Sequence, residues 1–205
     1  MKKYLLSFFS WLIMSCTVLL FMPVTAEAAG GPVEMLQSVA NQMIASLKAH
    51  KTTLKQNPSL VYSLATRIIV PHADLDEMSK RVLPPQTWNS ATPGQRQEFK
   101  REFTTLLVRT YASALAEYKD QTVRFYPVRG SQGRTVKVNS QIIRTDGPSI
   151  SVNYSLVSSG GGWRLYDMTV EGVSMLQSFR SQFSDQLAKG DMASLIRVLK
   201  QHNGR

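Results

Sequence analysis

The spacing of the apolar residues changes twice along the chain, and this constrains the fold more than any other sequence feature. From Leu36 to about Tyr118 apolar side chains recur every three or four residues, which is typical of helices packed on one side. Between Thr122 and Val170 they alternate with polar side chains, as in half-buried strands. The helical spacing then returns with a stripe that begins at Val173, and it continues to His202. Helices, strands and helices in this order predict an α+β fold.

Four helices are expected before the strands, and the fourth has the strongest start signal. In Thr92-Pro93-Gly94-Gln95 the threonine and the glutamine form a capping box, and the proline fits the first turn. The expected helices cover residues 33–49, 57–70 (with Pro58 in the first turn), 74–83 and 93–118. Two closing helices are expected at residues 174–188 and 192–202, and the residues after 201 are expected to fray. Asp74, Ser174 and Asp191 are expected to cap the third helix and the two closing helices.

Four strands are expected between the two helical parts, at residues 122–127, 134–144, 149–156 and 163–170. Their connections are short, which predicts an antiparallel meander. The third strand, "SISVNYSL", places apolar side chains on one side and serine or asparagine on the other. One face of the sheet is therefore expected to be covered by helices and the other to face water.

Residues 1–28 are interpreted as a signal peptide that is cleaved on export. Lys2 and Lys3 precede an apolar run, Pro23 breaks it, and Ala26-Glu27-Ala28 has the small-x-small pattern of a cleavage site. A membrane anchor is one alternative, but the run is short for a span and contains serines and a threonine. A lipoprotein with Cys16 as its modified residue is another, although the apolar run continues past this cysteine.

The remainder, residues 29–205, is expected to form one domain, or to divide into a helical part (29–120) and a sheet-plus-helix part (121–205). It contains no cysteine, because Cys16 lies in the signal segment, and a chain without thiols suits the periplasm. The full chain carries a net charge of +10 and stays strongly basic without its first 28 residues. In an exported protein this charge favours an anionic membrane surface or an acidic protein partner over nucleic acid.

No catalytic or metal-binding arrangement stands out in the sequence. His50, His72 and His202 are too scattered for a zinc site. Residues 160–162 are glycines between two strands, so they form a turn and not a phosphate loop. Asp167 lies mid-strand between apolar neighbours and is expected to be a structural carboxylate paired with an arginine; a base in a pocket is the alternative. We expect no catalytic residue, no metal and no cofactor.

Three segments resemble a known family. They are "SATPGQRQEF" (90–99), "LLVRTYASAL" (106–115) and "YDMTVEGVSM" (166–175), and they are similar to the MlaC or toluene-tolerance family of periplasmic phospholipid-binding proteins, which serves the maintenance of lipid asymmetry (Mla) pathway. The resemblance covers nearly all of residues 29–205. It departs from the family pattern at Pro84-Pro85 and in residues 189–195, both at the ends of elements.

The resemblance implies a carrier that holds phospholipid as cargo, with its acyl chains in a hydrophobic cavity between sheet and helices. The implied partners are an outer-membrane lipoprotein–porin complex and an inner-membrane ABC transporter with a lipid-binding ring. The side chains assigned to the cavity are Leu107, Tyr111, Val136, Val138, Ile142, Val152, Tyr154, Leu156, Trp163, Val173, Met175 and Phe179. Those assigned to headgroups or partners are Arg124, Arg134 and Arg144.

Two other functions stay open on the sequence alone. One is a small α+β hydrolase or isomerase that uses Asp167 in a pocket. The other is a periplasmic adaptor or chaperone with a filled core and a basic docking face.

Overall fold

The structure is a computed structural model, and it describes residues 30–57, 59–129 and 133–204, without the side chain of Lys55. The signal-peptide prediction for residues 1–28 and the helix start predicted at Pro58 lie outside the described residues. The elements are, in chain order, α1 Pro32–Ala49, α2 Lys51–Gln56, α3 Leu60–Ile68, a 3-10 turn Val70–His72, α4 Leu75–Val82, α5 Pro85–Ser90, α6 Pro93–Ala116, β1 Thr122–Phe125, β2 Thr135–Ile143, β3 Ile150–Ser159, β4 Gly162–Val170, β5 Val173–Ser174, α7 Met175–Leu187 and α8 Met192–His202.

The predicted helix caps are present. Thr92 Oγ1 accepts a hydrogen bond from the Gln95 N–H at 3.2 Å, and Gln95 Oε1 accepts one from the Thr92 N–H at 2.9 Å. This capping box starts α6, whose 24 residues extend roughly 36 Å at about 1.5 Å per residue. The side chains of Asp74, Ser174 and Asp191 cap α4, α7 and α8, and each accepts a hydrogen bond from the N–H three residues further on.

The helical part differs from the prediction in two places. The helix expected over residues 57–70 is present as α3 but is shorter, Leu60–Ile68, with a 3-10 turn that contains Pro71 after it, and the separate α2 before it was not predicted. α5 was not predicted, since Pro84-Pro85 was read only as the end of α4. Pro85 also begins α5, because the first turn of a helix does not need the N–H that proline lacks.

The sheet is an antiparallel meander with the strand order β1-β2-β3-β4-β5, which confirms the predicted topology but has one more strand than expected. β5 forms because Glu171 (φ 47°) and Gly172 (φ 82°) turn the chain back onto the end of β4. The prediction that Val173 begins a helical stripe is therefore wrong. Val173 lies in β5, and α7 starts two residues later.

Three clusters of buried apolar side chains hold the elements together. The largest contains residues of all five helices from α4 through α8. At its centre are four phenylalanine rings whose neighbouring centroids lie 5.5 to 5.7 Å apart: Phe99, Phe103, Phe179 and Phe183. The second joins α1, α2, α3 and α6. The third lies between α1 and the sheet, so that one sheet face is covered by a helix, as predicted.

Residues 202–204 do not fray as predicted. Asn203 is only 2% exposed, and its Nδ2 donates to the main-chain oxygen of Glu102 at 3.0 Å and to Glu102 Oε2 at 2.9 Å. Glu102 lies in α6 with an exposure of 0%. A buried carboxylate needs donors, and Asn203 supplies one, which fixes the end of α8 against α6.

Candidate functional site

The strand register places the predicted cavity residues of β2 and β3 on one face of the sheet. Val136 pairs with Leu156, and Val138 pairs with Tyr154. Alternate side chains of a strand point the same way, so these pairs share their face with the next ones along each strand. Together with Trp163 of β4, which packs against them, these side chains are called the sheet group: Val136, Val138, Ile142, Val152, Tyr154, Leu156 and Trp163.

α1 lies against the sheet group. Val138 and Leu156 are 0% exposed and belong to one cluster with Leu36 of α1. At the margin Tyr154 and Trp163 are half-buried, and the Tyr154 ring lies 5.7 Å from that of Phe125. The centre of the group is therefore dry, and its edge consists of aromatic rings that keep partial contact with water.

The other predicted cavity residues lie among the helices. Those buried or half-buried in the large helical cluster are called the helix group: Leu107, Tyr111, Met175 and Phe179. The rings of Tyr111 on α6 and Phe179 on α7 contact edge to face at 6.1 Å. The sequence did not show that the predicted set divides in this way.

β4 connects the two groups. Its Trp163 belongs to the sheet group. Its Met168 pairs with Tyr154 of β3 in the strand register and packs against the large helical cluster. Val173 belongs to neither group, because it is 64% exposed in β5. The sequence suggested an inward-facing Val173 only because it was counted with the stripe of α7.

Two tyrosine hydroxyls lie next to this apolar surface. Burial raises the pKa of Tyr154 above its ordinary value of 10.0, and a hydrogen bond with Ser140 opposes this increase. Burial, and then the negative charge of Asp167, raises the pKa of Tyr111 above 10.0. Both phenols are therefore neutral at neutral pH and can donate a hydrogen bond.

Ser140, which sequence reasoning missed, is buried and donates to the Val152 carbonyl at 3.1 Å.

Asp167 joins β4 to the start of α7. Its Oδ1 accepts hydrogen bonds from the N–H groups of Met168 at 2.8 Å and Leu176 at 3.0 Å, and its Oδ2 accepts one from the Ser174 hydroxyl at 2.7 Å. The prediction of an arginine partner is wrong for the part of the chain that the structure describes, where these donors are two backbone N–H groups and a hydroxyl and no ion pair joins an arginine to Asp167. Since both oxygens hold neighbouring groups in place, the geometry favours a structural role over that of a base.

Two clefts open beside β4. The first has a volume of about 510 Å³ and lies between the start of α1, the turn Val70–His72 and the β3–β4 turn, with Trp163 in its wall. The second has a volume of about 480 Å³ and lies on the opposite, polar face of the sheet, where Asp167 meets α4 and α7. Lysine and arginine side chains surround this second cleft, and sequence reasoning did not bring them together.

The three arginines assigned to headgroups or partners do not form one patch. Arg134 and Arg144 flank the nine residues of β2, so they lie at opposite ends of the strand, roughly 30 Å apart at about 3.3 Å per residue. Arg144 donates to the Pro148 carbonyl at 2.9 Å and so supports its own turn. Arg124 is exposed on β1.

Within residues 30–57, 59–129 and 133–204, no three histidine, cysteine or acidic side chains lie close enough together to hold a metal ion. None of the helices in that part of the chain is both long and apolar enough to span a membrane.

Comparison with known proteins finds relatives over most of the chain. The family model described as MlaC protein matches residues 37–201. Toluene tolerance protein ttg2D of Pseudomonas putida is 30% identical over 167 residues, which are 82% of this chain and 78% of that protein. The intermembrane phospholipid transport system binding protein MlaC of Haemophilus influenzae is 25% identical over 181 residues, covering 86% of this chain and 84% of that protein.

A solved structure shares the fold. The phospholipid-binding protein from Ralstonia solanacearum, determined in complex with a phospholipid, superposes with a TM-score of 0.78 at 28% sequence identity. The similarity covers 85% of this chain and 98% of that one. The family model and the shared fold agree with the motifs at 90–99, 106–115 and 166–175. The chain therefore belongs to the MlaC protein family.

Proposed function

We propose that this chain is a non-catalytic phospholipid carrier of the periplasm, exported by residues 1–28 and acting as a single domain of residues 29–205. The observation that carries the proposal is the fold shared with a protein that was determined in complex with a phospholipid. The name of the Haemophilus influenzae relative, a phospholipid transport binding protein, supports the same function.

The acyl chains lie between the sheet group and the helix group. Both are apolar, and β4 borders both through Trp163 and Met168. The half-buried aromatic side chains at the margin, Tyr111, Tyr154 and Trp163, are already partly in water, so moving them aside to admit cargo costs less than moving fully buried ones. We leave Val173 out of the proposed cavity wall, because it is 64% exposed.

The energetics of the cargo explain why a carrier is needed. Burying one methylene is favourable by about 0.8 kcal/mol, so two acyl chains with about thirty methylenes contribute on the order of 25 kcal/mol before opposing terms. A phospholipid therefore rarely leaves a bilayer to diffuse through water without a carrier. A bilayer and an apolar cavity offer similar burial, so exchange between them needs little net energy and no catalytic residue.

The carrier exchanges its cargo with an outer-membrane lipoprotein–porin complex and with an inner-membrane ABC transporter that has a lipid-binding ring. The family supports this assignment, and residues 29–205, which stay strongly basic without the first 28 residues, suit anionic contacts on either side. Arg124 and Arg134, both exposed, contribute separate contacts to headgroups or partners, and Arg144 does so from the turn that it supports.

Extraction of the purified protein with organic solvent tests the proposal. We expect close to one phospholipid per chain, identified by mass spectrometry and quantified by phosphate analysis. The protein is also incubated with labelled phospholipid vesicles, so that cargo lost during purification can be replaced. A folded protein that yields no phospholipid in either form would contradict the carrier and leave the adaptor as the better function.

A further inference from the structure

The second cleft is surrounded by positive charges from three different elements. Lys80 and Arg81 come from α4, Lys137 from β2 and Arg180 from α7, and all four side chains are exposed. Their spacing in the sequence gives no sign that they belong together. The meander and the start of α7 bring them around one concave surface.

Most of this charge is available to a ligand. Arg81 is paired with Glu77 at 2.6 Å and stacks 4.3 Å from the centre of the Tyr166 ring. None of the ion pairs found within the described ranges involves Lys80, Lys137 or Arg180. Exposed cations without an acidic neighbour attract anions over several ångströms at moderate ionic strength.

The remaining lining mixes polar and apolar side chains and, among the described residues, carries one negative charge. Ser155, Ser174 and Gln177 contribute polar groups to the wall, and Leu83, Pro85 and Leu176 contribute apolar ones. Asp167 is the single acidic residue in the lining, and its two oxygens already accept three hydrogen bonds from the chain. Three cations outside the ion pairs of the described residues, together with the Glu77-paired Arg81, thus surround one carboxylate whose hydrogen-bonding capacity is largely used.

The size and shape of the cleft select the kind of anion. A volume of about 480 Å³ corresponds to about sixteen waters at ~30 Å³ each, which is more than one small anion fills. A flat bilayer surface presents many charges but does not enter a concave site, whereas side chains that project from a protein do.

We propose that this cleft is a docking site for an acidic segment of a protein partner, which inserts several aspartate or glutamate side chains between α4, β2 and α7. The inference rests on the proposed function, because a carrier must dock in order to exchange its cargo. The choice of occupant rests on charge complementarity, which gives an interface its specificity and its association rate.

Fluorescence anisotropy with a labelled peptide of eight glutamates tests the proposal on the purified processed protein at low ionic strength. An eight-glutamine peptide measures binding that does not depend on charge. We expect the wild type to bind the glutamate peptide and not the glutamine peptide. The double variant Lys137→Glu/Arg180→Glu should bind the glutamate peptide about tenfold more weakly. The matched control Lys189→Glu/Arg67→Glu makes the same charge change at exposed positions outside the cleft and should keep the wild-type affinity.

Each other outcome overturns the proposal. No binding by the wild type, or an equal loss in the control variant, would show that the cleft has no special role. Full displacement of the peptide by an equal concentration of inorganic phosphate would indicate a small-anion site. Binding only to vesicles of phosphatidylglycerol and phosphatidylcholine would indicate a membrane contact.

Two further measurements keep the result interpretable. Circular dichroism verifies folding, and Lys137→Gln/Arg180→Gln replaces the charge reversal if that variant fails to fold. The phospholipid content of the same samples separates this inference from the proposed function. Weaker peptide binding with phospholipid retained supports the cleft, whereas phospholipid missing from every sample contradicts the carrier alone.

Discussion

At the scale of single residues, Asp167 shows how a carboxylate can hold two elements together. It accepts hydrogen bonds from the end of β4 and from both the side chain and the backbone at the start of α7. Removing a partly buried acceptor leaves its donors without partners, and this costs about 1–3 kcal/mol. Asp167→Ala should therefore lower the free energy of unfolding by about this amount, as measured by urea denaturation.

Asp167→Asn is the matched control for this substitution. Its amide keeps one acceptor oxygen for the N–H of Leu176 and can donate to the Ser174 hydroxyl oxygen, so it should destabilise the protein less than alanine does. Both variants, once folded, should retain phospholipid. An asparagine variant with wild-type stability and no phospholipid would show that Asp167 acts on the ligand and not on the fold.

Tyr154 gives the stability of the protein a dependence on alkaline pH. Because burial raises the pKa of its phenol above 10.0, the folded state holds the proton more tightly than the unfolded state does. The bound proton of Tyr154 thus contributes to the free energy of unfolding. This contribution is fully present below pH 10.0, the ordinary pKa of the phenol, and is lost as the pH rises through the raised pKa of the folded state. The free energy of unfolding should therefore fall above about pH 10.

The variant Tyr154→Phe isolates this contribution. It cannot ionise, so its stability should fall less steeply than that of the wild type when urea midpoints are compared from about pH 8 to about pH 11. Tyr111 acts in the same direction and is unchanged in both proteins. Parallel curves for the two proteins would mean that Tyr154 titrates alike in the folded and unfolded states.

At the scale of elements, the turn between β4 and β5 depends on a glycine. Gly172 has a φ of 82°, and a Cβ atom built there meets no heavy atom within 4 Å, so the cost of a side chain is one of backbone conformation alone. Gly172→Ala should lower the free energy of unfolding by about 1–2 kcal/mol, as measured by thermal or urea denaturation.

Gly162 provides the comparison. It begins β4 without a positive φ, and a Cβ atom there also meets nothing within 4 Å. Gly162→Ala should therefore be neutral or stabilising by up to about 1 kcal/mol. Equal destabilisation by both substitutions would mean that the turn conformation is not what makes Gly172 necessary.

The contact between α6 and the end of α8 is another element-scale constraint. Asn203→Ala removes a donor from the buried carboxylate and main-chain oxygen of Glu102 and should cost about 1–3 kcal/mol in urea denaturation. Gln201→Ala, at an exposed position of the same helix, should have little effect. If both variants are as stable as the wild type, the end of α8 is not held by this contact.

The elements also show which parts of the fold a sequence can predict. The caps at Thr92, Ser174 and Asp191 were predicted because the cap residue and its N–H partner lie three positions apart. The buried position of Asn203 was missed because its partner lies 101 positions earlier in the chain. β5 was missed because a strand of two residues is too short to show the alternation of apolar and polar side chains. It pairs with β4 only because of the turn that precedes it.

At the scale of the whole molecule, the same distinction applies to the candidate site. Alternation along β2 and β3 predicted that Val136, Val138, Val152 and Leu156 share one face, and the register confirms this. The division into a sheet group and a helix group could not be predicted, because it depends on where α1 and α7 pack. The basic cleft was missed for the same reason, since its cations come from three elements distant in sequence.

The proposed position of the acyl chains can be tested at the boundary between the two groups. Trp163 is half-buried beside the sheet group, so a charge there lies on the apolar path without having to be placed in the fully buried centre. Trp163→Asp should lower the phospholipid recovered per folded chain several-fold, because a carboxylate beside acyl chains loses its hydration. Asn139 of β2 provides the control, because it is exposed and alternates with Val138, so its side chain lies on the opposite face of the sheet: Asn139→Asp adds the same charge there and should leave the phospholipid content unchanged. If folded Trp163→Asp protein carries as much phospholipid as the wild type, the acyl chains do not pass this end of β4, and the boundary between the two groups is not their binding site.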